Sequence, residues 1–400
     1  MPEAWLKRSL IACKMRIGIE AQRIFRSHKH GMDVVALELI KALQELDKIN
    51  EYFIFVKNDE DTACLKATPN FHIVTLPNAN YIYWEQVLLP RYVKNYKIDV
   101  LHCTGNTAPL WLSCPVILTL HDVIFLERRK VKNTSSLYQK LGNFYRRLLV
   151  PRLIHKVDEI ITISYQEKER ICLALTTAEN KISVIHNGVS TLLGSKYLPE
   201  KAKNISEKLG LNDEFVLFLG NTEPRKNTPN VLKAFALLAA EKYTLKLVIT
   251  GLTAEFIENH WPQEAPKEFL NRIITPGYVS QAELHFLYEY ATFYLFPSLR
   301  EGFGLPILEA MSFGTPVITS NVSSMPEVAG EAALLVNPED PKQIAKAMEL
   351  LLDDPGLRES LACKGLQRVK AFSWENTAKA YLQLYLKNQH SFIKQTPALH

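Results

Sequence analysis

The chain has 400 residues, with 47 lysines and arginines against 42 aspartates and glutamates, and 47% hydrophobic residues. Its mean hydropathy is −0.06, which excludes a disordered or fibrous protein, and its length predicts two or three domains, each with a core of its own. No stretch reaches the roughly 20 consecutive apolar residues of a membrane span, and the N-terminal MPEAWLKRSLIACKMRIGIEA lacks a secretory leader pattern. The six cysteines, at 13, 64, 103, 114, 172 and 363, show no metal-ligand spacing and read as reduced, packed thiols of a cytosolic protein.

The net charge of +5 divides unevenly, as +7 over residues 1–190 and −2 over 191–400. In chain order, the first half offers strands over Arg16–Ile19, Tyr52–Val56, His72–Thr75, Val100–Cys103, Val116–Leu120, Glu159–Ile163 and Ser183–His186. Amphipathic segments such as Val34–Leu46 fall between them. Strand–helix alternation predicts a mainly parallel sheet covered on both faces. From Asn187 to about Leu211 the chain turns charged and turn-rich, which suits a linker followed by a helix. A second series follows: Phe215–Leu219, Leu245–Ile249, Ile273–Thr275, Phe293–Phe296, Pro316–Thr319 and Ala333–Val336. Two doubly wound domains facing a cleft are expected, with ligands at the carboxyl ends of the strands.

The densest chemistry lies in Phe296-Pro-Ser-Leu-Arg-Glu-Gly-Phe-Gly-Leu-Pro-Ile-Leu-Glu309. A strand ends near Phe296, Gly302 and Gly304 let a ligand approach the backbone, and Pro306 suits the first turn of a helix. The amides from Gly304 to Ile307 would face a diphosphate from the helix N-terminus. Glu301 and Glu309 bracket that loop. This is not the dinucleotide fingerprint, since Ile307 stands where the third glycine would be. Strand Phe215–Leu219 runs into Gly220-Asn-Thr-Glu-Pro-Arg-Lys-Asn227, so Arg225 and Lys226 sit at a strand end where they can reach a phosphate.

Together these stretches resemble the retaining, nucleotide-sugar-dependent glycosyltransferases of family 4, of the GT-B fold, in their bacterial polysaccharide and mannosyltransferase branch. The resemblance runs from about Met15 to about Tyr385 and rests on the Glu-x7-Glu signature, Glu301 and Glu309. GNTEPRKN, Pro276-Gly-Tyr-Val-Ser280, VNPED at 336–340 and the terminal FSWENTAKAYLQLY support it. It implies an acceptor-side domain over 1–192, a nucleotide-sugar-binding domain over 193–372, and a helix and tail over 373–400 that cross back to the first domain.

By position, the resemblance implies that Arg225 and Lys226 bind the donor diphosphate. Glu301 would hydrogen-bond the donor sugar beside the amides of Gly302, Phe303, Gly304 and Leu305. Glu309 would take the ribose hydroxyls, a carboxylate being suited to a vicinal diol. Tyr278 and Val279 fall at the base-contacting position. In the first half, Gly31 matches a glycine that lies against the donor phosphates, and Glu20 stands at the usual acidic position after the first strand. His121, in Thr119-Leu-His-Asp122, resembles a histidine that contacts donor and acceptor. Ser164, Asn187 and Gly188 also match, although a strand-end cap and a turn explain them equally well. Trp84-Glu-Gln86 through Pro90, and Leu101–Asn106, look like segments of the sugar-polymer branch.

The stretch from Arg128 to Lys156 holds nine basic residues and no acidic one, with Leu141, Phe144, Tyr145 and Leu148 interleaved. Beside the plain reading as a solvated helix, it suits an anionic membrane surface or a lipid-linked diphosphate; Pro151 would bend it or begin a new turn. The expected protein is a cytoplasmic enzyme, peripheral at most on the inner face of the cytoplasmic membrane, with no nucleic-acid partner.

The reaction implied is transfer of a hexosyl unit to a hydroxyl of a saccharide or lipid-linked saccharide, with retention; the Trp84–Pro90 segment favours a mannosyl unit from GDP-mannose, with UDP-hexoses close behind. No cofactor or metal is required, because the Asp59-Glu-Asp61 triplet reads as a solvated loop. The competing readings are a glycoside hydrolase using Glu301 and Glu309 as acid and base, a GT-B epimerase or donor hydrolase, and a non-catalytic nucleotide-sugar-binding protein. An anion-binding cluster has no use in a hydrolase, which favours the transferase.

Overall fold

The computed structural model describes residues 14–126, 137–177, 179–189, 199–211, 214–241 and 245–393. The part of the basic stretch at 128–136 and residues 190–198 of the expected linker lie outside them.

The first sheet has seven parallel strands: β1 (Arg16–Glu20), β2 (Glu51–Lys57), β3 (Phe71–Leu76), β4 (Val100–Cys103), β5 (Val116–Thr119), β6 (Glu159–Thr162) and β7 (Ile182–Val184). Their order is β3-β2-β1-β4-β5-β6-β7. The second sheet has six, β8 (Phe215–Leu219), β9 (Lys246–Thr250), β10 (Ile273–Gly277), β11 (Phe293–Phe296), β12 (Val317–Ser320) and β13 (Ala333–Val336). Their order is β10-β9-β8-β11-β12-β13. All thirteen expected strands form, with ends shifted by two residues at most.

Side chains alternate across the first sheet, as strand geometry requires. Ile17, Ile19, Ile54, Ile117 and Ile161 enter one core, against the helices Gly31–Leu46 and Trp374–Ile393. Phe53, Phe55, Leu101, Leu118 and Ile160 enter the other, with Trp84, Leu89 and Leu153. Residues from Trp374 onwards pack with those up to Gly188, so the terminal helix returns to the first sheet as expected; Val189–Ser373 form the second unit. The return is keyed by buried polar groups. His102 Nδ1 is 2.8 Å from the Tyr385 hydroxyl and its Nε2 2.7 Å from Thr119 Oγ1. Burial pulls the His102 pKa down to about 3, so the ring is neutral and one of those nitrogens accepts.

A Cβ on Gly188 would come within 2.4 Å of the Trp374 amide nitrogen, so close packing explains that glycine. Ser164 Oγ accepts from the Glu167 amide at 3.1 Å and caps the helix Tyr165–Leu175. Pro151 neither breaks nor restarts its helix, which runs over Leu137–Leu153; the proline falls in the last turn. The described cysteines are free thiols, but Cys363 is exposed rather than packed. Among the described residues no helix is long and apolar enough to cross a membrane.

Candidate functional site

In an open parallel sheet, ligands collect at the carboxyl edge where strand order reverses, because the loops there diverge and leave a crevice. The reversals fall between β8 and β11 in the second unit and between β1 and β4 in the first.

At the β8/β11 reversal, the loop after β8 makes one short turn, Pro224–Lys226, before the helix Thr228–Ala240. Asn227 permits this turn, adopting φ +64° and donating its Nδ2 to the carbonyls of Pro297 (2.9 Å) and Pro338 (2.7 Å). The amide of Leu299 in turn donates to the Arg225 carbonyl at 2.8 Å. Three strand-end loops are thereby tied together, and the side chains of Arg225 and Lys226 meet Glu301. Arg225 Nη1 donates to Glu301 Oε2 at 2.6 Å, and its Nε donates to Glu223 at 2.7 Å. Lys226 Nζ lies 2.8 Å from Glu301 Oε1, an ion pair without hydrogen-bond alignment, and 4.8 Å from the Phe296 ring centroid.

The glycine loop is held from below by Ser323 and Ser324. Ser323 Oγ accepts from the Glu301 amide at 3.2 Å and donates to its carbonyl at 2.8 Å, while Ser324 Oγ donates to the Phe303 carbonyl at 2.7 Å. Gly304 has φ +110° and precedes the helix Leu305–Ser312, with Pro306 in its first turn. That conformation is reserved for glycine. Glu309, one turn into the helix, accepts from the Tyr288 hydroxyl at 2.9 Å. Burial pushes its carboxyl above the ordinary range, opposed by that hydrogen bond and by the Lys226 charge. Lys226 thus acts electrostatically on both members of the Glu-x7-Glu pair. Tyr278 stands 83% exposed in the loop after β10, two strands from β8.

At the β1/β4 reversal, Glu20 ends β1 and is buried, with Oε1 accepting from the Gln22 amide at 3.1 Å. Burial, with repulsion from Glu85 as a smaller cause, raises its pKa from 4.5 to about 7. Glu85 is buried on a π-helical turn, Trp84–Leu88, inside the helical run 81–95. Its oxygens accept from Tyr81 (2.9 Å), Gln86 (2.8 Å), Tyr145 (2.5 Å) and Thr107. His121 is buried beyond β5, its amide donating to Asn106 Oδ1 at 2.6 Å and its Nε2 lying 2.9 Å from the Thr104 carbonyl. That carbonyl can only accept, so Nε2 carries hydrogen; burial lowers the pKa. Gly31 opens the helix Gly31–Leu46, where a Cβ would meet no protein atom within 4 Å. Asp61 of the acidic triplet pairs with Lys29 at 2.5 Å.

Of the residues singled out in the sequence, Arg225, Lys226, Glu301, Glu309 and the loop Gly302–Leu305 come together in one unit. His121 and Gly31 belong to the other. Sequence reasoning gave no role to Asn227, Ser323, Ser324 or Glu85. The signal for Asn227 was its place before a helix after a strand-end loop, a position that selects asparagine when φ is positive.

Two family descriptions match the chain: "glycosyl transferases group 1" over residues 200–368 and "Glycosyltransferase Family 4" over residues 30–192. The O-antigen chain mannosyltransferase B of Escherichia coli is 38% identical over 381 residues, which cover 89% of this chain and 95% of that protein. The chain belongs to the family 4 glycosyltransferases. This family 4 enzyme is also 29% identical over 270 residues to the O-antigen chain mannosyltransferase RfbU of Salmonella typhimurium, 67% of this chain and 69% of that one. The match to the serotype-specific mannosyltransferase WbdA of Escherichia coli, 32% identical, spans 56% of this chain and 28% of that longer protein. Among solved structures, a glycosyltransferase from Rickettsia africae superposes with a TM-score of 0.68 at 18% identity, over 94% of this chain and 98% of that one. WaaG, a glycosyltransferase involved in lipopolysaccharide biosynthesis, gives 0.67 at 13% over 92% and 99%. These likenesses fix the fold as the expected pair of doubly wound units.

Proposed function

We propose that this glycosyltransferase moves a mannosyl unit, with retention, from GDP-mannose to a hydroxyl of a saccharide or lipid-linked saccharide in surface polysaccharide synthesis, with UDP-hexoses as the competing donors. The observation that carries the donor reading is the Arg225–Glu301–Lys226 cluster beside the Gly304 helix start, at the strand reversal. The mannosyl preference rests on the mannosyltransferase relatives. In this scheme Arg225, Lys226 and the amides of Phe303 and Leu305 offset the negative charge that grows on the leaving diphosphate. One such donor typically contributes about 3–4 kcal/mol. Glu301 accepts from the donor sugar, Glu309 takes the ribose hydroxyls, Tyr278 meets the base, and Gly31 and His121 complete the sites of phosphate and sugar. The departing phosphate receives the acceptor proton on the same face, so the scheme uses no cofactor and no metal.

The test is thermal unfolding with UDP, GDP, ADP and NAD, for the wild type and Arg225→Ala. Ligand at about 100 times its dissociation constant stabilises by about 2.7 kcal/mol. Stabilisation of the wild type alone by one nucleoside diphosphate supports the reading; a response to NAD alone, or to nothing, refutes it.

The exposure of Leu141, Phe144 and Leu148, one stripe of the helix Leu137–Leu153 beside exposed Arg147 and Arg152, favours a peripheral position on an anionic cytoplasmic membrane face. Co-sedimentation with anionic liposomes, lost in Phe144→Glu, tests it; binding that ignores the substitution removes it.

A further inference from the structure

Glu309 stands one turn into the helix Leu305–Ser312, and the helix Gln281–Tyr290 of the same unit brings a tyrosine against its carboxylate. We propose that Tyr288 is a positioning residue for ribose recognition: its hydroxyl fixes the Glu309 carboxylate in the orientation that takes the two ribose hydroxyls of the nucleoside diphosphate. The inference rests on the reading of Glu309 as the ribose contact and adds the group that aims it.

The Tyr288 hydroxyl donates to Glu309 Oε2 at 2.9 Å. Tyr288 is 1% exposed. Burial, reinforced by the Glu309 charge, holds its phenol well above the ordinary range, so the hydroxyl keeps its proton and stays a donor. The ring is held on both sides: Tyr294 meets it edge-on, centroids 5.4 Å apart, and Phe313 stacks at 6.0 Å. Thr315 Oγ1 donates to the Tyr288 carbonyl from below. Phe313 follows directly on the helix that carries Glu309, so one packed element sets both ends of the hydrogen bond. The bond engages one acceptor site of the carboxylate out of about four, which leaves enough for two ribose hydroxyls side by side.

Packing does not call for the hydroxyl. A phenylalanine would keep both ring contacts, whereas the hydroxyl must be desolvated and gains its return in the bond to Glu309. A free glutamate loses much rotamer freedom when a ligand fixes it; a carboxylate already fixed by Tyr288 does not lose that freedom on binding. The same bond favours the charged carboxylate. The titratable and charged groups facing Glu309 are Tyr288 from its helix, Tyr294 from β11 and Lys226 from the turn after β8. Burial raises the Glu309 pKa, while the Tyr288 hydrogen bond and the Lys226 charge lower it. Without the hydroxyl, Glu309 takes up its proton at higher pH and gives up part of its capacity as an acceptor.

The experiment measures calorimetric affinities of the full chain for GDP, UDP and their 2′-deoxy and 3′-deoxy forms, from about pH 5 to 8. The wild type is expected to bind the ribose form about ten- to hundredfold more tightly than a deoxy form. Tyr288→Phe should cut that ratio at least about threefold and move its fall on acidification to higher pH. Taking the ratio cancels the titration of the phosphates themselves. A Tyr288 that only packs would weaken ribose and deoxy forms alike and leave the midpoint in place, and that result overturns the assignment, as does a ratio kept in full. If Tyr288→Phe fails to fold, uniform 3-fluorotyrosine labelling decides the matter. It makes each phenol a stronger donor, so the midpoint should move to lower pH, and an unmoved midpoint overturns the assignment. A wild type that binds neither diphosphate, or shows no preference for the ribose form, overturns the reading of Glu309, and this one with it.

Discussion

Replacing Glu20 by glutamine should change how stability depends on pH, by an amount and with a sign that the structure fixes. The Glu20 carboxyl titrates near 4.5 when solvated and near 7 when folded, and burial is the main cause. At about 1.4 kcal/mol per tenfold change in proton affinity, that displacement amounts to about 3 kcal/mol. Below pH 4.5 both folded and unfolded chains hold the proton. Between 4.5 and 7 the unfolded chain has released it while the folded chain keeps it, so stability falls as pH rises. Above 7 the folded protein carries a buried charge, and the full cost is present. Glutamine keeps the shape and the acceptor for the Gln22 amide but does not titrate. The difference between Glu20→Gln and wild type should therefore move in favour of the variant by about 3 kcal/mol between pH 4.5 and 7.5. Urea unfolding at six or so pH values, followed by a probe in the first unit because two units need not unfold together, measures it. A difference that stays level across that range refutes the buried, proton-holding Glu20.

Arg225→Ala should lower kcat by about 10²–10³, the effect of losing one preorganised donor to a developing anion, as initial rates at saturating donor will show. Asn227→Ala should destabilise the second unit by about 2–4 kcal/mol, since alanine disfavours positive φ and the Pro297 carbonyl loses its donor; urea titration reads this directly. Gly304→Ala combines φ +110° with a Cβ 3.2 Å from Ile307 Cδ1, and should weaken nucleoside-diphosphate binding at least about tenfold through backbone strain at the loop. Calorimetry with the diphosphate that stabilises the wild type checks it.

The strands were legible because parallel sheets bury both faces and their sequences become short, continuous apolar runs, such as VLHC and VILT. The Glu-x7-Glu loop was legible because glycine, proline and carboxylate each have one reason to stand at a strand-to-helix turn. Other residues depend on partners far away in the chain. His102 sits in an apolar strand and shows its use only when Tyr385, 283 residues later, meets its ring. Glu85 looks like a surface residue of an amphipathic helix until the π-turn rotates it inward. Ser323 and Ser324 read as a polar loop, and their hold on the Glu301 and Phe303 carbonyls is a tertiary fact with no local period. Pro151 falls in the last turn of its helix, where a proline costs little and starts no new helix.

The two strand reversals separate what topology decides from what residues decide. Winding a parallel sheet outward in both directions from its middle creates a crevice at β1/β4 and another at β8/β11, whatever side chains line them. The two crevices have opposite chemistry. At β8/β11, Arg225 and Lys226 share Glu301, so each cation is held in position by a carboxylate before any ligand arrives. On the donor reading proposed above, cations preorganised in this way would not need to reorganise as charge grows on a leaving phosphate, which is where an electrostatic contribution to rate is largest. At β1/β4 the excess is anionic, and a carboxyl is buried at a cost of about 3 kcal/mol above pH 7, although the isosteric glutamine would pack as well.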